Sequence, residues 1–223
     1  LPRSVWAHGF INLGGGKMSK SEGVSVTLDD AIDRHGPDAL RYYLLRDIPW
    51  NGDGDFAWDR FDHVYTAELA NDLGNLANRS ISMIERYRGG TVPPGARTDL
   101  DEKIPDTLVR FRAAMDANLL HQGIAAAMDL TAAANGFVEE RAPWSQAKDP
   151  ALAPDLDATL AALARALAAI TVMLEPFMPV KMRQLASALG LDDIPILDHV
   201  ADLDLAGRTV ARGEVLFPRP DRE

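Results

Sequence analysis

The sequence predicts a mainly α fold, in which a small α/β unit precedes an antiparallel bundle of four or five helices. Three observations carry this prediction. Strand-like composition and a run of glycines are confined to residues 1–60. Beyond them Leu69, Leu73, Leu76 and Met83 recur at spacings of four, three and seven, the period of one helix face. An Ala/Leu-rich stretch from Asp155 to Leu174 has the length and composition of a buried bundle helix. The expected division is 1–60 for the α/β unit, 61–190 for the bundle and 191–223 for a tail.

Each element follows from local chemistry. Val5 to Leu13 reads as a strand that stops at Gly14-Gly15-Gly16. Val24-Ser25-Val26 is a second short extended piece. Thr27 can cap a helix reaching about Arg34, with Asp29 and Asp30 in its first turn. Gly36 ends that helix and Pro37 opens the next, which runs to Arg46. The leucine spacing predicts one helix over 61–87, and Gly89-Gly90 to Pro93-Pro94-Gly95 is a loop. Further helices are expected from Asp101 to Asn118, from Gly123 to Glu140 and from Asp155 to Leu174. Pro176 and Pro179 break the last of these before it resumes over Lys181 to Leu189. Gly213 to Pro218 is expected to add a short extended piece to the Asp-rich tail.

Composition bounds the function. With 223 residues and 47% hydrophobic residues the chain can bury a substantial core. The longest uncharged apolar run, Ala166 to Leu174, falls well short of the ~20 residues that span a bilayer, so no membrane segment is expected. The chain opens on Leu1-Pro2-Arg3 without an initiator Met or a recognisable signal peptide, and is expected to be part of a longer polypeptide. Cysteine is absent, which excludes disulfides within this stretch and is compatible with a reducing compartment. The histidines at 8, 35, 63, 121 and 199 form no ligand spacing, so no metal site is expected. A net charge of -10 disfavours broad nucleic-acid binding, and any polyanion site must be a local basic patch. Residues 1–90 are the better place for one, holding 10 basic against 13 acidic side chains.

The stretch Gly14-Gly15-Gly16-Lys17-Met18-Ser19-Lys20-Ser21 combines backbone freedom with two mobile cations three residues apart. Such a loop suits phosphate, since a lysine about 4 Å from a phosphate charge is worth roughly 4 kcal/mol at an effective dielectric near 20. Glycines and lysines alone fit a solvated loop better than a phosphate site. The spacing is not that of a Walker A loop.

Lys17-Met18-Ser19-Lys20-Ser21 matches in full the KMSKS signature of class I aminoacyl-tRNA synthetases. His8-Gly9-Phe10-Ile11 before it and Gly36-Pro37-Asp38-Ala39-Leu40-Arg41-Tyr42-Tyr43 after it also resemble that class. The resemblance implies that the loop closes over ATP, accompanied by Mg2+, while an amino acid carboxylate attacks the α-phosphorus. Lys20 and Lys17 then take the catalytic role, Lys20 stabilising phosphate charge in the transition state, with Lys17 and Ser19 helping to close the loop. Met18 and Ser21 complete the ATP-binding signature. His8 and Ile11 resemble the strand lining the adenosine side, although both also fit an ordinary strand.

Within that class, Asp53 to Phe61 followed by Asn71-Asp72-Leu73-Gly74-Asn75-Leu76-Ala77-Asn78-Arg79 is similar to the methionyl-tRNA synthetase family. Asn75 and Arg79 lie four residues apart on the expected helix, so both project from one side. An amide and a guanidinium can bond one base edge of a single-stranded loop, and the same spacing also fits a polar helix edge. Trp144, in Arg141-Ala142-Pro143-Trp144, fits either a core plug or a stacking platform. In the family the matching Asn and Arg read the first anticodon base and the Trp stacks on it. Arg79, Arg86 and Arg88 are candidates for local positive charge. Leu174-Glu175-Pro176-Phe177-Met178-Pro179 also looks like the family, and is read as a structural kink.

The resemblance therefore implies part of a cytoplasmic methionine-tRNA ligase whose partners are methionine, methionine tRNA and the N-terminal catalytic domain of the same protein. The nucleotide-binding core and its His-Ile-Gly-His-type signature do not appear in these residues, and any zinc of the family would lie with them. Two alternatives stand. One is a non-catalytic tRNA-binding module derived from a synthetase, against which an intact KMSKS loop argues. The other is the equivalent part of another class I synthetase, against which Asn75, Arg79 and Trp144 argue.

Overall fold

Three short strands open the chain. In the computed structural model, which describes residues 1, 2, 5, 7–13, 16, 17 (these two as backbone), 27–48 and 52–219, β1 (Ile11–Leu13) is central. It pairs antiparallel with β2 (Gly16–Lys17) and in parallel with β3 (Gly54–Phe56). The parallel pair needs a crossover, which α1 (Leu28–His35) and α2 (Pro37–Asp47) occupy. The paired strand is shorter than the expected 5–13, because β3 offers partners only from Ile11 to Leu13. Before it the backbone is pinned through Asp53, whose Oδ1 accepts the Phe10 N–H at 2.7 Å. Gly9 permits this approach, since a Cβ there would lie 1.9 Å from the Gly52 carbonyl oxygen. The extended piece expected at 24–26 lies outside the described residues.

Local capping rules set the next boundaries. Thr27 Oγ1 accepts the Asp30 N–H at 3.1 Å to start α1, and Gly36 at φ 87° ends it before Pro37 opens α2.

The helix expected over 61–87 starts earlier and is not uniform. It comprises α3 (Trp58–Val64), a π-helical segment (Tyr65–Gly74) and α4 (Asn75–Arg88). Leu69, Leu73, Leu76 and Met83 are all buried, as their spacing predicts. That spacing does not separate α from π, because both wind the leucines onto the core side. Gly74, at the end of the π segment, lies close to the Leu69 carbonyl, which a Cβ there would approach to 3.0 Å. Gly89 at φ 60° terminates α4.

The remaining helices are α5 (Asp99–Asp116), α6 (Leu120–Arg141), α7 (Pro143–Gln146), α8 (Ala153–Leu174) and α9 (Pro179–Ala188). α5 begins two residues before the expected Asp101, because Asp101 caps it by accepting the Thr98 backbone N–H at 2.7 Å and the Thr98 hydroxyl at 3.0 Å. The same carboxylate accepts Arg165 Nε of α8 at 2.5 Å and Nη2 at 3.0 Å. α8 is the central helix, and every residue from Leu160 to Leu174 except Arg165 is buried. By length and a mean hydropathy of 1.6, Pro150–Leu174 could cross a membrane, but 89% of its most apolar stretch is buried by the other helices.

A single hydrophobic core runs from Ala31 to Phe217 and joins the α/β unit to the helices. α2 makes the junction in detail. Arg41 donates from Nε to the Phe177 carbonyl at 3.1 Å and from Nη2 to the Pro176 carbonyl at 3.0 Å. Asp38, buried, accepts the Lys181 N–H at 2.7 Å at the start of α9. The double-proline kink is thus docked on α2, with Phe177 and Met178 buried beneath it.

The tail differs from expectation. Gly213 to Pro218 forms no strand; the extended contact lies earlier, where Thr91 and Thr209 form a bridge and Val210 N donates to the Gly90 carbonyl at 2.8 Å. Residues 213–218 instead wrap back over α4, burying Phe217 and placing the Pro218 carbonyl 2.7 Å from the Tyr65 hydroxyl.

Candidate functional site

Two places in the fold gather the residues singled out by sequence. The first lies where α4 meets the end of α6. Asn75 is the first residue of α4 and Arg79 stands one turn further on, both half-buried. α6 ends at Ala142, a non-glycine residue in the left-handed region at φ 43°, ψ 61°. That turn swings Pro143 into the first position of α7 and presents Trp144, which remains 38% exposed. The Arg79 guanidinium carbon lies 5.8 Å from the centre of the Trp144 ring. The exposure of Trp144 argues against a core plug.

Arg79 also donates from Nη2 to Glu139 Oε1 at 2.7 Å. Sequence reasoning missed Glu139, because nothing local links it to a residue on another helix. One turn earlier on α6, Asn135 Nδ2 donates to the Asp72 carbonyl at 3.2 Å. Burial pushes the Asp72 carboxyl above the usual carboxylate range, and the nearby Glu68 charge pushes it further. A polar seam therefore runs between the two helices from Asp72 towards Trp144. It offers a planar cation, an amide and an exposed aromatic face, which together can hold an unstacked base.

The three arginines expected to supply positive charge differ in their commitments. Arg88 is engaged by Asp157 and donates to the Tyr87 and Ala153 carbonyls, so it ties the end of α4 to α8. Arg79 is offset by Glu139. Arg86 is exposed and lies 5.7 Å over the ring of its neighbour Tyr87.

The second place is the α/β unit. His8 and Ile11 come together with Gly9, Arg41, Leu44, Leu45 and Ile48 around a pocket of about 270 Å³. His8 Nδ1 lies 2.8 Å from the Gly9 carbonyl, and Ile11 is the first residue of β1. Lys17 is described as backbone of β2, opposite Asn12. Met18, Ser19, Lys20 and Ser21 lie outside the described residues. Asp53, Gly54 and Asp55 serve the sheet, through the Asp53 bond to Phe10 and the pairing of β3 with β1. Among the described residues no three His, Asp or Glu side chains cluster as metal ligands do.

Two family models match the chain. Residues 1–81 match the family model described as class I tRNA synthetases (M). Residues 88–221 match the anticodon binding domain of methionyl tRNA ligase. The chain belongs to the methionyl-tRNA synthetase family. Among curated relatives, methionine-tRNA ligase of Caldanaerobacter subterraneus is 36% identical over all of this chain and 36% of that protein. The Streptomyces coelicolor ligase is 38% identical over 98% of this chain and 44% of that protein. The fold is similar to Mycobacterium tuberculosis methionyl-tRNA synthetase in complex with methionyl-adenylate. That match has a TM-score of 0.90 at 30% identity, and covers 98% of this chain and 45% of the other. The chain thus spans between about a third and just under half of the synthetases it matches.

Proposed function

We propose that this chain is the part of a methionine-tRNA ligase that supplies the KMSKS loop and reads the anticodon. The complete enzyme activates methionine with ATP and Mg2+ to methionyl-adenylate and transfers it to tRNA. The observation that carries the reading is the approach of Arg79, with Asn75 one turn away, to the exposed Trp144, which lies in the segment similar to an anticodon-binding domain. In this reading the first anticodon base stacks on Trp144, while Asn75 and Arg79 bond its edge. Glu139 accepts a hydrogen bond from the same guanidinium and offsets its charge.

The α/β unit contributes Lys17, Met18, Ser19, Lys20 and Ser21 to the ATP phosphates, and His8 and Ile11 to the adenosine side. The shared pocket of His8 and Ile11 supports the second assignment. Lys20 stabilises charge as pyrophosphate leaves, and Lys17 and Ser19 help the loop to close. Val5, Phe10 and Leu28 leave apolar side chains exposed around this unit. Their exposure supports packing against the N-terminal catalytic domain of the same protein. A cytoplasmic location belongs to the same reading.

Functionally, residues 1–60 belong to the activation side, 61–190 to the anticodon-binding bundle and 191–223 to the tail that wraps it. An antiparallel arrangement in the bundle is supported by the short link from Asp116 to Leu120 between the packed helices α5 and α6. The activation role is tested by Lys20→Ala in the complete synthetase. Methionyl-adenylate formation should slow far more than ATP binding weakens, and an effect confined to ATP binding would contradict the role.

A further inference from the structure

We propose that Arg86 and Arg141 form a phosphate-binding cleft flanking Trp144, which holds the backbone of a single-stranded RNA loop. The inference rests on the anticodon reading above and adds to it the groups that grip the sugar-phosphate chain.

Position on the helix comes first. Arg86 follows Arg79 by seven residues in α4, which returns its side chain to nearly the same face about 10 Å further along the axis. Asn75, Arg79 and Arg86 therefore line one side of α4. Arg141 closes α6, three residues before Trp144. An RNA strand whose base lies on Trp144 and against Arg79 has Arg86 ahead along α4 and Arg141 beside it at the end of α6.

Arrangement of charge is the second argument. Several other arginines are engaged by carboxylates: Arg79 by Glu139, Arg88 by Asp157, Arg165 by Asp101 and Arg212 by Glu85. Arg86 and Arg141 donate to no oxygen acceptor among the described residues. The Arg141 guanidinium sits 5.4 Å over the Phe137 ring, and its Nε is buried without a hydrogen-bond partner. A buried donor left unpaired is destabilising, and a shift of the half-buried Arg141 side chain onto a phosphate would relieve it. In a chain of net charge -10, uncompensated cations on either side of the base site favour the approach of a polyanion there.

A structural role for Arg141 is the competing explanation. A cation in the last turn of α6 offsets the negative end of the helix, and that needs a charge but no acceptor. Lysine keeps the charge and lacks Nε, so Arg141→Lys and chemical neutralisation of the RNA separate the two roles.

The test measures affinity against salt concentration for wild type, Arg86→Ala, Arg86→Lys, Arg141→Ala and Arg141→Lys. The probes are two short stem-loop RNAs, one with the methionine anticodon and one with its first base changed. Each Ala variant should weaken both RNAs by the same factor, about three- to tenfold, and lower the slope of log affinity against log salt by about 0.7. Arg86→Lys should restore the slope. Methylphosphonate at the phosphodiesters flanking the first anticodon base should weaken wild type, with no further loss in the Ala variants. Unchanged slopes in both Ala variants, or a loss confined to one RNA, would overturn the cleft. If Arg141→Ala fails to fold, the methylphosphonate series on wild type and Arg141→Lys decides its part. Equal binding of the two RNAs by wild type, with the slopes changed as expected, would remove the base-reading roles and leave the cleft. Base discrimination with unchanged slopes would do the reverse, and absence of RNA binding would remove both.

Discussion

Arg79 and Trp144 meet across two helices, the guanidinium carbon 5.8 Å from the centre of the indole. Trp144 is partly exposed, and Arg79 also donates to Glu139. Trp144→Ala should therefore leave stability within about 1 kcal/mol of wild type, as for exposed side chains generally. It should weaken binding of the anticodon loop by about 1 to 3 kcal/mol, the worth of stacking one base. Thermal melts and anisotropy titrations on the same samples check both halves. A large loss of stability would mark Trp144 as a packing residue instead.

Glu139→Gln removes the carboxylate that offsets Arg79. With the acid gone, RNA affinity should rise several-fold regardless of the first anticodon base, because the added attraction acts on phosphate. Titrations with both anticodons would detect the rise. A loss of affinity would indicate that the ion pair is needed to position the guanidinium.

Asp101 and Arg165 form the most buried ion pair among the described residues, with side chains 1% and 11% exposed. Although burial opposes it, hydrogen bonds from Arg165 and Thr98 hold the Asp101 carboxyl below the usual carboxylate range. A depressed folded pKa stabilises above the unfolded value of about 3.9, and that stability is lost as pH falls through the folded value. Asp101→Asn should cost about 3 to 5 kcal/mol near pH 7, since it strands Arg165. It should also flatten the decline in stability below about pH 4, which urea titrations at several pH values would measure.

Arg41 joins the α/β unit to the α8–α9 kink through two carbonyls. Arg41→Ala should destabilise the chain by about 1 to 3 kcal/mol by leaving those acceptors unpaired. A thermal shift in the Ala variant with partial recovery in Arg41→Lys would support the clamp, and an unchanged melt would contradict it.

What the sequence made legible was local. Thr27, Gly36 and Pro37 mark their helix boundaries through bonds to near neighbours, so the boundaries of α1 and α2 follow from reading order alone. The leucines from Leu69 to Leu76 located the long helix but could not reveal its π segment, since both windings bury the same side chains. Asn75, Arg79 and Trp144 were found through a family resemblance. The contacts that organise them were not legible, because Glu139 reaches Arg79, and Pro176 reaches Arg41, only once the chain has folded. The tail differs from expectation for the same reason: Phe217 has strand composition, but it is buried against Tyr65, far away in sequence.

The central claim is that Asn75, Arg79 and Trp144 read the first anticodon base. The most direct measurement is equilibrium binding of this chain to methionine tRNA with its anticodon intact and with that base alone changed, at one fixed salt concentration. The account predicts that the intact anticodon binds about tenfold or more tightly, in line with roughly 1 to 3 kcal/mol for one misread base. Equal affinity for the two tRNAs would contradict it.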